Sequence, residues 1–213
     1  MTEHLHETTK KIKQSLRLSM NGIVSTHQRR QGLDYKINFG VEVPRLKTIA
    51  QEYPQDRELA EALWQENIRE CKLLAIFLLP QDSYAEIADK WIAETPFTEI
   101  ADHLAMNILR KLPTAPADAL KWIDENYGLS RYCGYLTLTH IFRSGTELSP
   151  AEEKTFQKLI TEHFGTDCDS VVARIAFTAL CSYIDNDSSK AGEIVSLAGE
   201  ESKLSAMISD YIA

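Results

Sequence analysis

The chain has 213 residues, of which 44% are hydrophobic and 25% charged, values typical of a globular protein with a sizeable core. No apolar run approaches the ~20 residues that a membrane-spanning helix needs, and the amino-terminal residues lack the apolar run of a signal peptide. A net charge of −8 argues against general nucleic-acid affinity, although it leaves room for a local anion-binding surface.

The first forty residues predict one amphipathic helix and a loop-rich segment. Apolar residues recur at helical spacing from about Glu3 to Met20, with Ile12 on the inward face. Residues 21–40 are rich in Gly and Asn and predict a loop, within which Ser25 caps a short helical turn.

Basic residues are concentrated in the first fifty positions. That segment carries nine Lys or Arg against four Asp or Glu, a net of +5, while the remaining chain carries 14 against 27, a net of −13. Lys10, Lys13 and Arg17 fall on one stripe of the first helix. Such a stripe is either a solvated helix face or part of an anion-binding surface, and both interpretations stay open.

Caps and prolines divide the rest of the chain into short helices. Pro44 suits the first position of one helix, and Asp56 suits the cap of the next. Thr95 and Pro96 predict the cap and first residue of another, and Ser149 precedes a proline and two acids in the same way. Further helices are predicted before Pro80 and near residues 84–92, 118–126, 131–142, 172–183, 187–199 and 202–211.

These segments predict an all-α protein of about twelve helices, in pairs that recur about every 35–40 residues. Three short helices between residues 38 and 80 are more typical of a helical-repeat solenoid than of a compact bundle. No break in composition suggests a domain boundary. We therefore predict that residues 1–213 form a single domain, with an amino-terminal helix over 1–20 and the loop-rich segment over 21–40.

The segment from 38 to 80 resembles a known family. It reads NFGVEVPRLKTIAQEYPQDRELAEALWQENIRECKLLAIFLLP: a Gly–Val turn, a Pro-started helix, a helix ending near Trp64 and an apolar helix. This order resembles the DNA alkylation repair family, the AlkD-type HEAT-like repeat DNA glycosylases, and the resemblance extends over about residues 30–210. It implies a right-handed α-α superhelix of HEAT-like repeats that binds duplex DNA on its concave surface.

The resemblance also implies a catalytic residue. The last Asp of the family's Trp-Trp-Asp-x-x-Asp motif resembles Asp102 in PFTEIADHLAMNIL. In an alkylpurine glycosylase, this carboxylate would stabilise the cationic sugar that develops as the glycosidic bond breaks. The alternative is that Asp102 is an ordinary solvated or Arg-paired helix residue.

The surroundings of this carboxylate depart from the family pattern. The family's aromatic residue one turn earlier is Thr98 here, with Phe97 beside it, and a second aromatic, on a later helix, aligns with Thr178. A basic residue of the family falls near Tyr135, with Arg131 one turn earlier. Threonine offers no π face to a cationic base, so any excision is expected to be slow. The predicted lining of the substrate groove is Phe97, Thr98, Tyr135 and Thr178.

Two classes of function are therefore open. The first is a DNA repair protein with weak, salt-sensitive duplex affinity, with or without base excision. The second is a non-catalytic HEAT-like scaffold that binds a protein or peptide partner, which the acidic composition and the missing aromatics favour. The basic residues predicted to contact DNA are Lys10, Lys13, Arg29, Arg30, Lys36, Arg45, Lys47, Arg131 and Arg174.

No pattern predicts a metal ion or a cofactor. The chain lacks a Gly-rich phosphate loop, an HExxH motif and paired Cys-x-x-Cys motifs. Cys71, Cys133, Cys168 and Cys181 are predicted to be reduced and mostly buried, as in a cytoplasmic protein. None of them has the cationic flanks that lower a thiol pKa.

Overall fold

The computed structural model describes residues 3–125, 128–164 and 170–213, except for the side chain of Ser170. Over these residues the protein has thirteen α-helices, two short 3-10 helices and no β-strand. A single isolated bridge joins Ile37 and Ile68. The predicted all-α class is confirmed, with one helix more than the approximate count. In this described part of the chain, every helix is too short or too polar to cross a membrane.

The chain folds into two compact units, Met1–Ala88 and Asp89–Ala213. The boundary between these units falls within one helix, Tyr84–Ala93. The single domain over residues 1–213 therefore stays a prediction.

The first unit is built on a pair of helices joined by a short turn. Asp56 caps the first of the pair as predicted, accepting a hydrogen bond from the Leu59 amide at 2.7 Å. Leu63 and Trp64 of this helix are fully buried. In the helix before it, Pro44 lies in the first turn, close to its predicted position. The helices of this unit are α1 (Glu3–Leu18), α2 (Gly22–Arg30), α3 (Val43–Ala50), α4 (Arg57–Trp64), α5 (Arg69–Leu78) and the start of α6 (Tyr84–Ala93).

The segment predicted as a loop contains a nine-residue helix, α2. Its cap is Asn21, whose side chain accepts hydrogen bonds from the amides of Ile23 and Val24 at 3.2 Å. The predicted cap, Ser25, instead lies inside the helix and donates to the Asn38 carbonyl oxygen at 2.7 Å. The sequence did not predict this helix because α2 buries none of its residues and therefore lacks the apolar periodicity of a packed helix.

The chain between α2 and α3 is held by buried charges. The Glu70 carboxylate, with no exposed surface, accepts hydrogen bonds from the amides of Phe39 at 3.1 Å and Val41 at 3.2 Å. The Arg69 guanidinium contacts Glu70 at 3.1 Å and donates to the Val41 carbonyl oxygen at 2.9 Å. A buried charge is stable only with such partners, so this pair fixes the loop against α5.

The second unit is organised around α9 (Ser130–Arg143), which packs against three neighbouring helices. Gly134 permits a close approach to the helix that carries Ala119, since a Cβ there would lie 2.6 Å from the Ala119 carbonyl oxygen. The other helices of this unit are α7 (Thr98–Asn107), α8 (Ala115–Asp124), α10 (Pro150–Phe164), α11 (Ser170–Asn186), α12 (Ser189–Ala198) and α13 (Lys203–Ile212).

Two predicted helix starts in this unit have different outcomes. At α10, Ser149 and Glu152 form a reciprocal cap, with the Ser149 amide donating to the Glu152 carboxylate at 2.9 Å. The predicted start at Thr95 and Pro96 is wrong, because α7 begins only at Thr98. The Thr95 hydroxyl instead donates back to the Trp91 carbonyl oxygen at 2.6 Å, which ends α6.

Candidate nucleic-acid site

Asp102 lies on α7 with its carboxylate held by a tyrosine of α9. The Tyr132 hydroxyl donates a hydrogen bond to Asp102 Oδ1 at 2.8 Å. Asp102 keeps an exposed side chain, whereas Tyr132 is buried. The neighbours Ile100, Ala101 and Leu104 fill the core side of the helix. The pair therefore presents an oriented carboxylate to solvent at the contact between α7 and α9.

Partial loss of hydration shifts the pKa of both members of this pair, although part of the Asp102 side chain stays exposed. Lost hydration raises the pKa of Asp102 above its ordinary value, the Tyr132 hydrogen bond and the charge of His103 oppose that rise, and Glu99 adds to it. Burial also raises the pKa of Tyr132, and its hydrogen bond to Asp102 raises it further. Tyr132 therefore remains a protonated donor at neutral pH.

Two of the four predicted groove residues, Thr98 and Thr178, lie with the predicted catalytic residue Asp102 on helices that pack together through α9. Asp102 and Thr98 lie one turn apart on α7, which packs against α9, and α9 packs against α11. On α11, Arg174 is exposed and its charge lowers the pKa of Tyr132, opposing the larger effects of burial and of Asp102. Thr178, one turn further on α11, donates its hydroxyl to the Arg174 carbonyl oxygen at 2.9 Å. The carboxylate of Asp102, the phenol of Tyr132 and the guanidinium of Arg174 therefore lie in one region of the second unit.

The other two predicted groove residues, Tyr135 and Phe97, and the predicted DNA contact Arg131 have different surroundings. Tyr135 is 0% exposed, and its hydroxyl lies 3.4 Å from His163 Nδ1 on α10. Arg131 donates from Nε to the Ile123 carbonyl oxygen at 2.9 Å and lines a small cavity with His163. Phe97 is half-buried at the cap position of α7. Tyr135 has no surface in this structure with which to contact a ligand.

Comparison with known proteins identifies the family. A sequence model of the family described as "DNA alkylation repair enzyme" matches residues 12–171. The chain belongs to this family. A solved structure, "A new family of proteins related to the HEAT-like repeat DNA glycosylases with affinity for branched DNA structures", matches 96% of this chain and 93% of its own, with a TM-score of 0.75 and 18% identity. No curated protein matched the chain.

The structural match confirms the predicted HEAT-like repeat fold for this member of the DNA alkylation repair family. Sequence reasoning missed Tyr132, because the resemblance pointed to a basic residue near Tyr135, one turn further along α9. The available signal was the i, i+3 spacing of the two tyrosines, which lie about 60° apart around a helix. With Tyr135 turned towards α10, Tyr132 is the tyrosine that can reach α7.

Three of the predicted DNA contacts in the first unit are engaged by carboxylates. Lys13 contacts Glu66, Lys10 lies 3.9 Å from Glu7, and Arg29 lies 3.9 Å from Asp34. Surface pairs of this kind are weak and can exchange a carboxylate for a phosphate. A second set of predicted DNA contacts is exposed and has no carboxylate at ion-pair distance among the described residues: Arg30, Lys36, Arg45, Lys47 and Arg174.

The structure offers neither a metal site nor a thiol nucleophile in the described ranges. Across residues 3–125, 128–164 and 170–213, no three His, Cys, Asp or Glu side chains come together to hold a metal ion. Cys71 and Cys133 are buried free thiols, and burial raises the pKa of each to about 12. Cys181 is a half-buried free thiol whose pKa is raised to about 11. The prediction for Cys168 lies outside the described residues.

Proposed function

We propose that this protein binds DNA and that Asp102 is the catalytic carboxylate of any base excision it performs. The observation that carries the proposal is the hydrogen bond from Tyr132, which orients an exposed carboxylate between α7 and α9. Membership of the DNA alkylation repair family supports the DNA partner. The likeness to a structure named for its affinity for branched DNA supports branched substrates beside duplex DNA.

The chemistry available to Asp102 is electrostatic. An alkylated purine that carries a positive charge leaves the sugar as a neutral base, and positive charge then develops on the sugar. A fixed carboxylate stabilises that charge and can orient a water molecule for attack. The arrangement needs no cofactor, and the free thiols of Cys71 and Cys133 agree with the cytoplasmic location that we propose.

A second candidate function is a non-catalytic scaffold for a protein or peptide. The observation that favours it is the absence of an aromatic side chain at Thr98 and Thr178, the two positions beside Asp102 where the family has aromatics. The Thr178 hydroxyl is also occupied within its own helix. Without a π face, the site lacks one contribution to binding a cationic base.

Incubation with methylated duplex DNA tests the catalytic proposal, with released bases measured by chromatography. We expect slow release by the wild type and a loss on the order of 10²-fold in Asp102→Asn, since a single group that stabilises developing charge contributes about that much. Asp210→Asn, a change at an exposed carboxylate on α13, is the matched control and should retain the wild-type rate.

Binding and excision separate the candidate functions. Equal release by the wild type and Asp102→Asn would contradict the catalytic role of Asp102. No release above spontaneous loss from either would contradict excision and leave DNA binding. Failure of the wild type to retain duplex or branched DNA at 50 mM salt, a condition that strengthens phosphate contacts, would remove the DNA proposal and favour the scaffold.

A further inference from the structure

Large apolar side chains are exposed where α1 ends and α2 begins. Leu18 is 82% exposed, Met20 60% and Ile23 85%. Leu18 is the last residue of α1, and Ile23 is the second residue of α2. Solitary exposed apolar residues are ordinary, but Met20 and Ile23 line one surface depression and Leu18 lies two residues before Met20 in the chain. These three residues form the apolar corner of the first unit.

The apolar corner has basic surroundings. Met20 and Ile23 line a surface depression whose rim includes His27 and Arg30, and no acidic residue is among its described lining. Arg45 reaches the same region, with its Nε 3.5 Å from the Ser19 hydroxyl. In a protein of net charge −8, such a surface without carboxylates fits a polyanion that also carries apolar faces.

The backbone around the corner is fixed by polar contacts. The Asn21 amide donates to the Phe39 carbonyl oxygen at 2.8 Å, and Ser25 donates to Asn38 at 2.7 Å. Gly40 packs so closely that a Cβ would lie 2.2 Å from the Asn21 carbonyl oxygen. The helix α2 buries no residue, so its place is set by these contacts while Ile23 faces solvent. The corner is therefore a pre-organised surface.

We propose that the apolar corner of Leu18, Met20 and Ile23 packs against unstacked bases at a DNA branch point, with Arg30 and Arg45 on the flanking phosphates. This proposal rests on the proposed DNA binding and names the DNA structure that this surface recognises. Aliphatic side chains of this kind insert between base steps in other DNA-binding proteins. A branch point presents base faces that are already unstacked, so the contact avoids the cost of unstacking a continuous duplex.

Charge decides against a second copy of the chain as the occupant. Pairing two apolar corners would bring Arg30 and Arg45 of both copies together, and like charges brought together at an interface oppose association. DNA supplies the opposite charge together with base faces. The corner therefore adds preference for branched over continuous DNA, whereas the arginines add affinity for both.

The test compares Met20→Ser/Ile23→Ser with the wild type on a four-way junction and a duplex of equal length. We expect the junction-over-duplex affinity ratio to fall about tenfold, since the aliphatic contact to unstacked bases is what favours the junction and about 1.4 kcal/mol corresponds to that factor. Duplex affinity and its salt dependence should stay unchanged. The matched control is Leu197→Ser/Ile212→Ser, at positions 58% and 59% exposed on α12 and α13, which should retain the wild-type ratio.

Other outcomes separate this proposal from DNA binding in general. A wild type that binds neither DNA sets aside both proposals, whereas an unchanged junction preference in the double variant overturns the apolar corner alone.

Light scattering of both proteins without DNA is the second measurement. A wild-type dimer that the double variant converts to a monomer would identify a second copy as the occupant and overturn the DNA contact. Flotation of the wild type with anionic vesicles, lost in the variant, would overturn it in favour of a lipid surface.

Discussion

Two opposing effects act on the carboxylate of Asp102. Lost hydration raises its pKa, and the hydrogen bond from Tyr132 lowers it by favouring the charged form. The first effect is larger, so the folded-state pKa lies above the ordinary value. Asp102 therefore favours the folded state most at pH values below its unfolded pKa, and that contribution is lost as the pH rises through the folded pKa. The site retains a carboxylate that its surroundings make harder to ionise.

Tyr132→Phe should raise the pKa of Asp102 further, because the variant removes the donor that favours the ionised form. Carboxyl carbon chemical shifts followed by NMR across the acidic pH range measure this directly. Tyr211→Phe is the matched control, since the Tyr211 hydroxyl donates to Asp185 at 2.8 Å and does not contact Asp102. An Asp102 pKa that is equal or lower in Tyr132→Phe would show that the phenol does not stabilise the carboxylate.

The sequence located the helices of the candidate site better than the directions of its side chains. Thr98, Asp102, Arg174 and Thr178 do lie on helices in contact through α9. Tyr135 was expected beside them, but its side chain lies in the core against His163. The tyrosine that contacts Asp102 is Tyr132, one helical turn earlier. Periodicity identifies a helix and its apolar face, whereas the choice between two tyrosines on one helix depends on which neighbouring helix each meets. That choice is a tertiary property.

At the scale of the element, α10 and α2 differ in how far the sequence could predict a helix. The α10 cap was readable because Ser149 and Glu152 stand at the spacing that reciprocal capping requires. The helix α2 has no apolar face to the core, so periodicity gave no sign of it. Its contacts come from residues 38–40, after the helix in sequence, and only the folded chain brings them to Asn21 and Ser25.

Gly40→Ala should destabilise the first unit because Gly40 has φ +70° and no room for a Cβ. A left-handed residue other than glycine costs roughly 1–2 kcal/mol, and overpacking adds roughly 1–3 kcal/mol. We expect the free energy of unfolding, measured in urea, to fall by about 3 kcal/mol. Junction preference should fall as well, since Gly40 supports the backbone of the apolar corner.

Gly32→Ala separates backbone strain from overlap in that experiment. Gly32 has φ +93°, but no heavy atom lies within 4 Å of the added Cβ. Its alanine variant should therefore lose only about 1–2 kcal/mol, the backbone cost alone. Equal losses in the two variants would mean that the close approach of Gly40 to Asn21 has no energetic consequence.

At the scale of the whole molecule, net charge limits how tightly DNA can be held. The −8 balance repels phosphates at long range, so affinity depends on local cations. Five of the nine predicted contacts are exposed and lie outside ion pairs with described carboxylates: Arg30, Lys36, Arg45, Lys47 and Arg174. Composition alone predicted weak binding, but it did not show which cations were engaged, since Lys13 and Glu66 are 53 residues apart in sequence.

This number of cations sets the expected salt dependence of duplex binding. With about 4–6 phosphates neutralised, the logarithm of the association constant should fall with the logarithm of salt concentration at a slope of roughly −4 to −5. Affinity would then drop roughly 10²–10³-fold between 50 and 200 mM salt. Arg174→Gln should make the slope less steep by about 1, because one phosphate contact is lost. Lys158→Gln is the matched control, since Lys158 lies on α10 and is not among the predicted DNA contacts, and should keep the wild-type slope. A flat salt response in the wild type would contradict phosphate binding and indicate an apolar contact of the kind that a peptide makes.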